Sequence, residues 1–488
     1  MKVPERTSQY LAIVVAAMAS ATCHDPAEPE PTGPPGITIL AGADVTDSID
    51  ARPTRPLLIE VRNPDGRLAR NVVVRFSGLP ISGGGQNPPL SLGVGPIGQE
   101  PIRGEMIDTT DGSGQASAMI GWGAFAGPGA VEVTVPDLGF ADTAHYTIQP
   151  GHGVSVVSEP EDTVVYRSRS FGLRVSVRDR HGNPRPDPVT FHADSTSASV
   201  SAAGIVTSQE WGRARVRIDD AAGHADTTWV SVIPEGTIAA KTDYGIVIVD
   251  LDGSNRRTVP GVAAVTWVDW NLTGDTLLFA APDDDSWLYV TNTTSPPSRL
   301  ITASTGLVSE LWPQYSGDGQ WIYFSGRTSD RRQAIWRARS DGSSPALIGY
   351  PSSSLDFDAA PSSDGSRVAF VSDRCCSPFS GSGLYLLHTQ TGIVDSLAPG
   401  VVSPRWSPGD SLIAFVSQGV LVIRPDGQGL RQITPVGVYF WRGIDWSPTG
   451  EWLIARDVLG QLVLIRLADG LIIALPYFTD LDRPAWRP

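Results

Sequence analysis

The chain has 488 residues, room for two to four domains, with 41% hydrophobic residues, 51 glycines and 40 prolines. Gly and Pro together stay below a disordered composition, so this reads as a turn-rich folded chain of all-β class. A formal net charge of −15 excludes the basic footprint that nucleic acid requires and argues against electrostatic docking on anionic lipid.

The N-terminus reads as a targeting segment over residues 1–22. Lys2 and Arg6 precede an apolar run, 11–22, too short to span a bilayer but suited to a signal-peptide core. Two endings compete. Ala19-Ser20-Ala21 is an A-x-A cleavage site. Ser20-Ala21-Thr22-Cys23 resembles a bacterial lipobox, which implies a lipid on Cys23, although that motif prefers Leu at Ser20 and Gly or Ala at Thr22. Residues 23–36 carry Pro26, Pro29, Pro31, Pro34 and Pro35. A Pro-rich stretch is an extended, semi-rigid spacer, which suits a tether and favours the lipoprotein. The expected address is the bacterial cell envelope, as an outer-membrane lipoprotein facing the periplasm or the surface.

Residues 37–150 read as a first β-sandwich. A strand at 57–61 meets a turn at Asn63-Pro64-Asp65-Gly66, and 72–76 begins the next strand. Residues 83–104 read as a long Gly/Pro-rich loop. Asp111-Gly112-Ser113-Gly114 opens another strand and 131–135 is a further one. The short strands and regular turns suit an Ig-like sandwich. The stretch 111–116, with Gly127-Pro128-Gly129 before a Val-rich strand, resembles the bacterial Ig-like modules of invasin- and intimin-type surface proteins.

Residues 151–235 repeat the plan, with 173–183 matching the run from residue 57 at an offset of 116. Ala198-Ser199-Val200-Ser201, Gly204-Ile205-Val206-Thr207 and Gly212-Arg213-Ala214-Arg215-Val216 resemble the group 2 bacterial Ig-like repeat. That resemblance implies a spacer or adhesive unit, and spacer is the reading taken. Neither sandwich has the Cys…Trp…Cys of antibody domains, so packing holds the sheets.

Residues 236–488 are organised by a repeat. Trp446-Ser447-Pro448-Thr449-Gly450 ends one strand, turns, and starts another at Trp452. The residue before each such turn serves as an anchor: Trp270, Tyr315, Pro361, Trp406, Trp446 and Trp486. The spacings are 45, 46, 45, 40 and 40 residues, the length of a four-stranded propeller blade. The first copy, at 238–240, has no anchor before it, and the last anchor, Trp486, has no blade after it. Six blades follow, the first completed by the C-terminal strand, a closure that leaves no open edge in the ring. The phrases Trp406-Ser407-Pro408-Gly409-Asp410, Trp446–Gly450 and Tyr315-Ser316-Gly317-Asp318-Gly319 resemble the TolB-type propeller repeat, while the Gly-His…Trp-Asp of WD repeats is absent. The TolB resemblance implies docking of envelope proteins or peptides. One fold hosts many activities.

The search for chemistry finds little. The seven histidines show no metal-ligand spacing, and there is no nucleophile elbow or phosphate loop. Asp250-Leu251-Asp252-Gly253 reads as a hairpin turn rather than a calcium loop, because Asp-Gly recurs in phase at 341, 426 and 469. No cofactor and no metal are expected. Cys375 and Cys376 are adjacent, so they offer no disulfide framework; a vicinal bridge would be a strained loop staple.

Long, irregular B–C hairpins and blade crossings mark one propeller face as the candidate ligand-binding surface. It carries Asp283, Asp284 and Asp285; Arg327, Asp330, Arg331 and Arg332; Arg374 in the loop 373–383; and Tyr439 and Trp441, with Trp312 and Phe357 on other crossings. The leading reading is a monomeric, non-enzymatic binding or scaffold protein. It would be held to the membrane only by its lipid and would present the propeller on Ig-like spacers to an envelope protein, a peptide or a glycan. The alternative is a propeller enzyme acting on glycan, of lyase or glycosidase type, which needs carboxylates converging at the pore; Asp356, Asp358, Asp445 and Asp482 are the candidates.

Overall fold

The computed structural model describes residues 32–49, 51, 55–79, 92–99, 104–282, 286–301, 305–348, 354–374 and 382–488. Cys23, Asp283, Asp284, Asp285, Cys375 and Cys376 lie outside them. Two compact units are present: one runs to Gly153 and includes Arg178–Arg185, and the other holds Val154–Val177 and Pro186–Pro488. Among the described residues no helix is long and apolar enough to cross a membrane.

The first unit contains two facing sheets. One orders its strands Gly36–Ala41, Leu57–Arg62, Gln115–Trp122 and Leu92–Gly95. The other runs Val45–Ser48, Phe140–Gln149, Gly127–Val135, Val73–Gly78 and Glu105–Thr109. Alternation sets the core: Leu57, Ile59 and Val61 are buried from one sheet and Val74, Phe76, Val131 and Val133 from the other. The Asp111 carboxylate accepts N–H bonds from Ser113 and Gln115, which fixes the turn and holds its carboxyl below the usual range. The stretch 83–104 is not all loop. Leu92–Gly95 is a buried strand paired with Met119 to Trp122. Its alternating glycines hide the strand signal, while Leu92 and Val94 fill the core.

In the second unit, Asp162–Tyr166, Ala225–Ile233, Gly212–Asp220 and Val189–Ala193 form one sheet and Ser170–Gly172, Ile205–Ser208 and Ala198–Val200 another. From Thr237 onward the chain is a β-propeller. Among the described residues it builds six four-stranded antiparallel sheets. Their innermost strands are Trp267–Trp270, Leu307–Tyr315, Asp356–Pro361, Val402–Trp406, Phe440–Trp446 and Asp482–Trp486. Each touches the next in that order and the last touches the first. Asp482–Trp486 pairs with Thr237–Thr242, Trp486 opposite Ile238 and Ala485 opposite Ala239.

Two local devices repeat around the ring. After the anchor, the side chain of Asn271, Ser316, Ser362, Ser407 or Ser447 accepts the backbone N–H five residues on, at 3.0–3.1 Å. This bond is the physical content of the Trp-Ser-Pro phrase. Four residues after the anchor the backbone is left-handed, at Gly274, Gly319, Gly365 and Gly450, and at Asp410 with φ 56°. The second device lies three residues before the anchor. Trp312, Asp358, Ser403, Gly443 and Arg483 all have positive φ, and the ladder slips there as a β-bulge.

The second sandwich shares a core with the propeller. Val164, Tyr166, Trp211 and Ile233 pack with Ile238, Trp452, Ile454, Leu464 and Trp486. Trp211 meets Trp452 edge-on, with ring centroids 5.7 Å apart and planes at 87°.

Candidate channel site

One residue before each anchor stands a second ring of inner-strand positions. Those residues are Asp269, Gln314, Ala360, Arg405, Asp445 and Ala485. The four polar ones line a cavity of about 400 Å³ that opens between the A–B turns, with Trp270, Tyr315, Trp406, Trp446 and Trp486 around it. The aromatic walls are fixed by their own hydrogen bonds. The indole N–H of Trp270 donates to the carbonyl of Ala485, that of Trp406 to Ala360 and that of Trp446 to Arg405, each reaching the preceding inner strand.

The floor is charged. Arg405, 8% exposed, faces the Asp445 carboxylate at 3.7 Å and lies over the Trp267 ring at 4.8 Å. Asp445 Oδ2 accepts the Trp486 N–H at 2.6 Å. Asp269 Oδ2 accepts the Tyr315 N–H at 2.8 Å. Burial pushes the Asp269 carboxyl up to about 7, against the pull of Arg405 and with the Asp445 charge adding to the rise. Burial also raises Asp445, opposed by Arg405 and the Trp486 N–H. Gln314 is 5% exposed, and its Nε2 has no hydrogen-bond partner.

The face singled out in the sequence lies at the opposite ends of these strands. Asp330 and Arg332 pair at 3.0 Å on one hairpin, where Arg331 takes a φ of 67°. A cavity of about 230 Å³ lies there, lined by Thr328, Asp330, Arg332 and Trp336. Arg327 is the penultimate residue of the strand Trp321–Thr328 on the same hairpin. Arg374 is committed to structure, bonding Asp356 at 2.6 Å and lying over Phe370 and Tyr385. Tyr439 is exposed, and Trp441 belongs to the strand Phe440–Trp446. Of the four carboxylates proposed for a catalytic pore, only Asp445 lines the larger cavity. Asp356 is held by Arg374, Asp358 accepts the Ser403 N–H, and Asp482 faces Lys241 and Arg456. Asp269, Gln314 and Arg405 were missed by sequence reasoning. The available signal was their shared place, one residue before an anchor.

No family model matches this chain. It is 29% identical over 202 residues to the uncharacterized protein Atu1656 of Agrobacterium fabrum strain C58, covering 38% of this chain and 68% of that one. Among solved structures, TolB from Acinetobacter baumannii aligns with a TM-score of 0.44 at 16% identity, over 62% of this chain and 83% of that one. A putative TolB from Agrobacterium tumefaciens aligns with a TM-score of 0.40 at 18% identity, over 49% of this chain and 88% of that one.

Proposed function

We propose that this chain is a non-catalytic binding protein of the bacterial cell envelope. In this reading the six sheets are six blades of a TolB-like propeller, carried on two Ig-like modules, and the propeller recognises a protein or peptide. The supporting observation is the channel cavity: a pre-formed, aromatic-walled recess with a few convergent polar groups, the usual anatomy of a binding site. Its carboxylates are tied to backbone N–H groups of neighbouring strands. Export by residues 1–22 and a lipid on Cys23 belong to the same proposal. Labelling with a fatty-acid analogue should mark the wild type and leave Cys23→Ser unmarked.

The test is capture from solubilised envelopes with the full chain as bait. Leu272 is exposed at the cavity rim, so Leu272→Arg obstructs the mouth without entering the core. Loss of one captured protein with Leu272→Arg, and its retention with Arg331→Ala on the opposite face, supports recognition at the channel. The reverse result moves recognition to the Arg327–Arg332 hairpin. Identical capture by bait and both variants would sink the reading.

One observation favours a second reading, an enzyme acting on glycan. Asp269 and Asp445 share one cavity, and a carboxyl near 7 is suited to general acid work. Product formation from a glycan panel, abolished by Asp269→Asn, would establish it; no turnover across the panel removes it.

A further inference from the structure

We propose that the channel cavity binds the free N-terminus of a peptide or protein, its α-ammonium group on Asp269 and its first carbonyl oxygen on Gln314. This deepens the binding reading above and rests on it.

Two unanswered groups at one place carry the inference. The first is a buried carboxyl group. The floor holds two carboxylates and one guanidinium: Arg405 lies nearest Asp445, at 3.7 Å, donates to the Pro404 carbonyl at 3.1 Å, and acts on Asp269 only from beyond ion-pair distance. Asp269 has backbone N–H bonds from Tyr315 and Trp270 but no ion pair within 4 Å among the described residues. A carboxylate in a recess walled by aromatic rings is costly to leave alone and attracts a cation. The second is a donor. Gln314 is buried, lines the same cavity, and its Nε2 donates to nothing. Gln314 immediately precedes Tyr315, whose N–H bonds Asp269 Oδ2 at 2.8 Å, so the free donor and the carboxyl without an ion pair are neighbours.

A ligand that answers both needs a cation with an acceptor a few bonds away. The first residue of a peptide has that arrangement: an ammonium on Cα and a carbonyl oxygen on the next carbon. A lysine side chain brings the cation without the acceptor. An anion would meet two carboxyl groups, Asp269 and Asp445, against the single guanidinium of Arg405. The cavity, about 400 Å³, has room for the first residues of a chain.

The test uses the full chain and affinity selection by mass spectrometry from a library of tripeptide amides mixed with their N-acetylated counterparts. Free-amine members should be selected over acetylated ones by at least about tenfold, the strength of a hydrogen bond to a charged group. The best member is then measured by calorimetry against Ac-Ala-Lys-Ala-NH2, which should bind as weakly as the acetylated form. Asp269→Asn and Gln314→Ala should each weaken it severalfold or more while near-UV circular dichroism stays unchanged. At pH 6.5 the α-amine is already charged, so binding should release protons as the cation draws the Asp269 carboxyl down. Equal selection of acetylated members, lysine binding as tight as the N-terminus, or undiminished affinity in Asp269→Asn would each overturn the inference. So would selection of no member at all. Capture of an envelope partner lost with Leu272→Arg would then leave the broader binding reading standing, whereas failure of both experiments removes both.

Discussion

Trp446 shows what the anchor position asks of a side chain. Its ring is buried between sheets, and its N–H reaches back to the Arg405 carbonyl at 3.1 Å. Phenylalanine would keep most of the area and lose the bond. Trp446→Phe should therefore cost about 1–2 kcal/mol, measured by urea unfolding. Glu310 is a different case. It is buried, Oε1 has no partner, and Oε2 accepts only the Leu288 N–H at 3.2 Å. Burial lifts its carboxyl from 4.5 to about 7, against that N–H bond and the charge of Arg299. Between those values the folded state holds a proton that the unfolded state has released. Stability contributed by this group is therefore full in acid, falls as pH rises from 4.5 to about 7, and is level above. Glu310→Gln should stabilise at pH 8 by up to roughly 2–3 kcal/mol and change little at pH 4, read from paired denaturant titrations. The anchors were legible in the sequence because a large aromatic residue recurs in phase. Asp269, Gln314 and Arg405 were not, because one shared site is made from three residue types, and only the ring brings together positions separated by some 45 residues or more.

At the scale of the strand, the turn after the anchor was readable and the bulge before it was not. Ser and Gly recur in the turn because each does one local job, capping an N–H or allowing positive φ. The bulge residues Trp312, Asp358, Ser403, Gly443 and Arg483 have no type in common. Their left-handed backbone is imposed by the neighbouring sheet, which meets several of the freed N–H groups. Asp358 donates to Ser325 Oγ, Ser403 to Asp358 Oδ2 and Gly443 to Ser403 Oγ. Such a relay is tertiary, and no window of sequence contains it. Gly443 is the tightest link, since a Cβ there would lie 2.9 Å from the Arg483 Cα at a φ of 103°. Gly443→Ala should destabilise the propeller by about 1–3 kcal/mol in thermal or chemical unfolding. Ser403→Ala removes one acceptor and leaves the Gly443 N–H unmet, a cost of about 1–2 kcal/mol by the same measurement. Leu92–Gly95 is the strand-scale omission in the first unit, masked by glycines at alternate positions.

At the scale of the molecule, five spacings near one blade length leave an unmatched piece at each end of the repeat, and the pairing of Asp482–Trp486 with Thr237–Thr242 joins the two. The joining of the second sandwich to the propeller was not visible. Trp211 and Trp452 meet across a common core. Trp211→Ala should uncouple the two, so that calorimetry shows a separate, earlier transition for the sandwich where the wild type shows the pair melting together. Pairing of Asp482–Trp486 with Thr237–Thr242 has a consequence in time. A ribosome makes the partner at 237–242 some 240 residues before its mate, so every nascent chain carries one unmatched strand edge while five sheets form behind it. Messages cut short after residue 475 would release chains whose ring never shuts, with the Thr237–Thr242 edge free to recruit another copy. Closure of the ring thus hangs on the short stretch that encodes Asp482–Trp486.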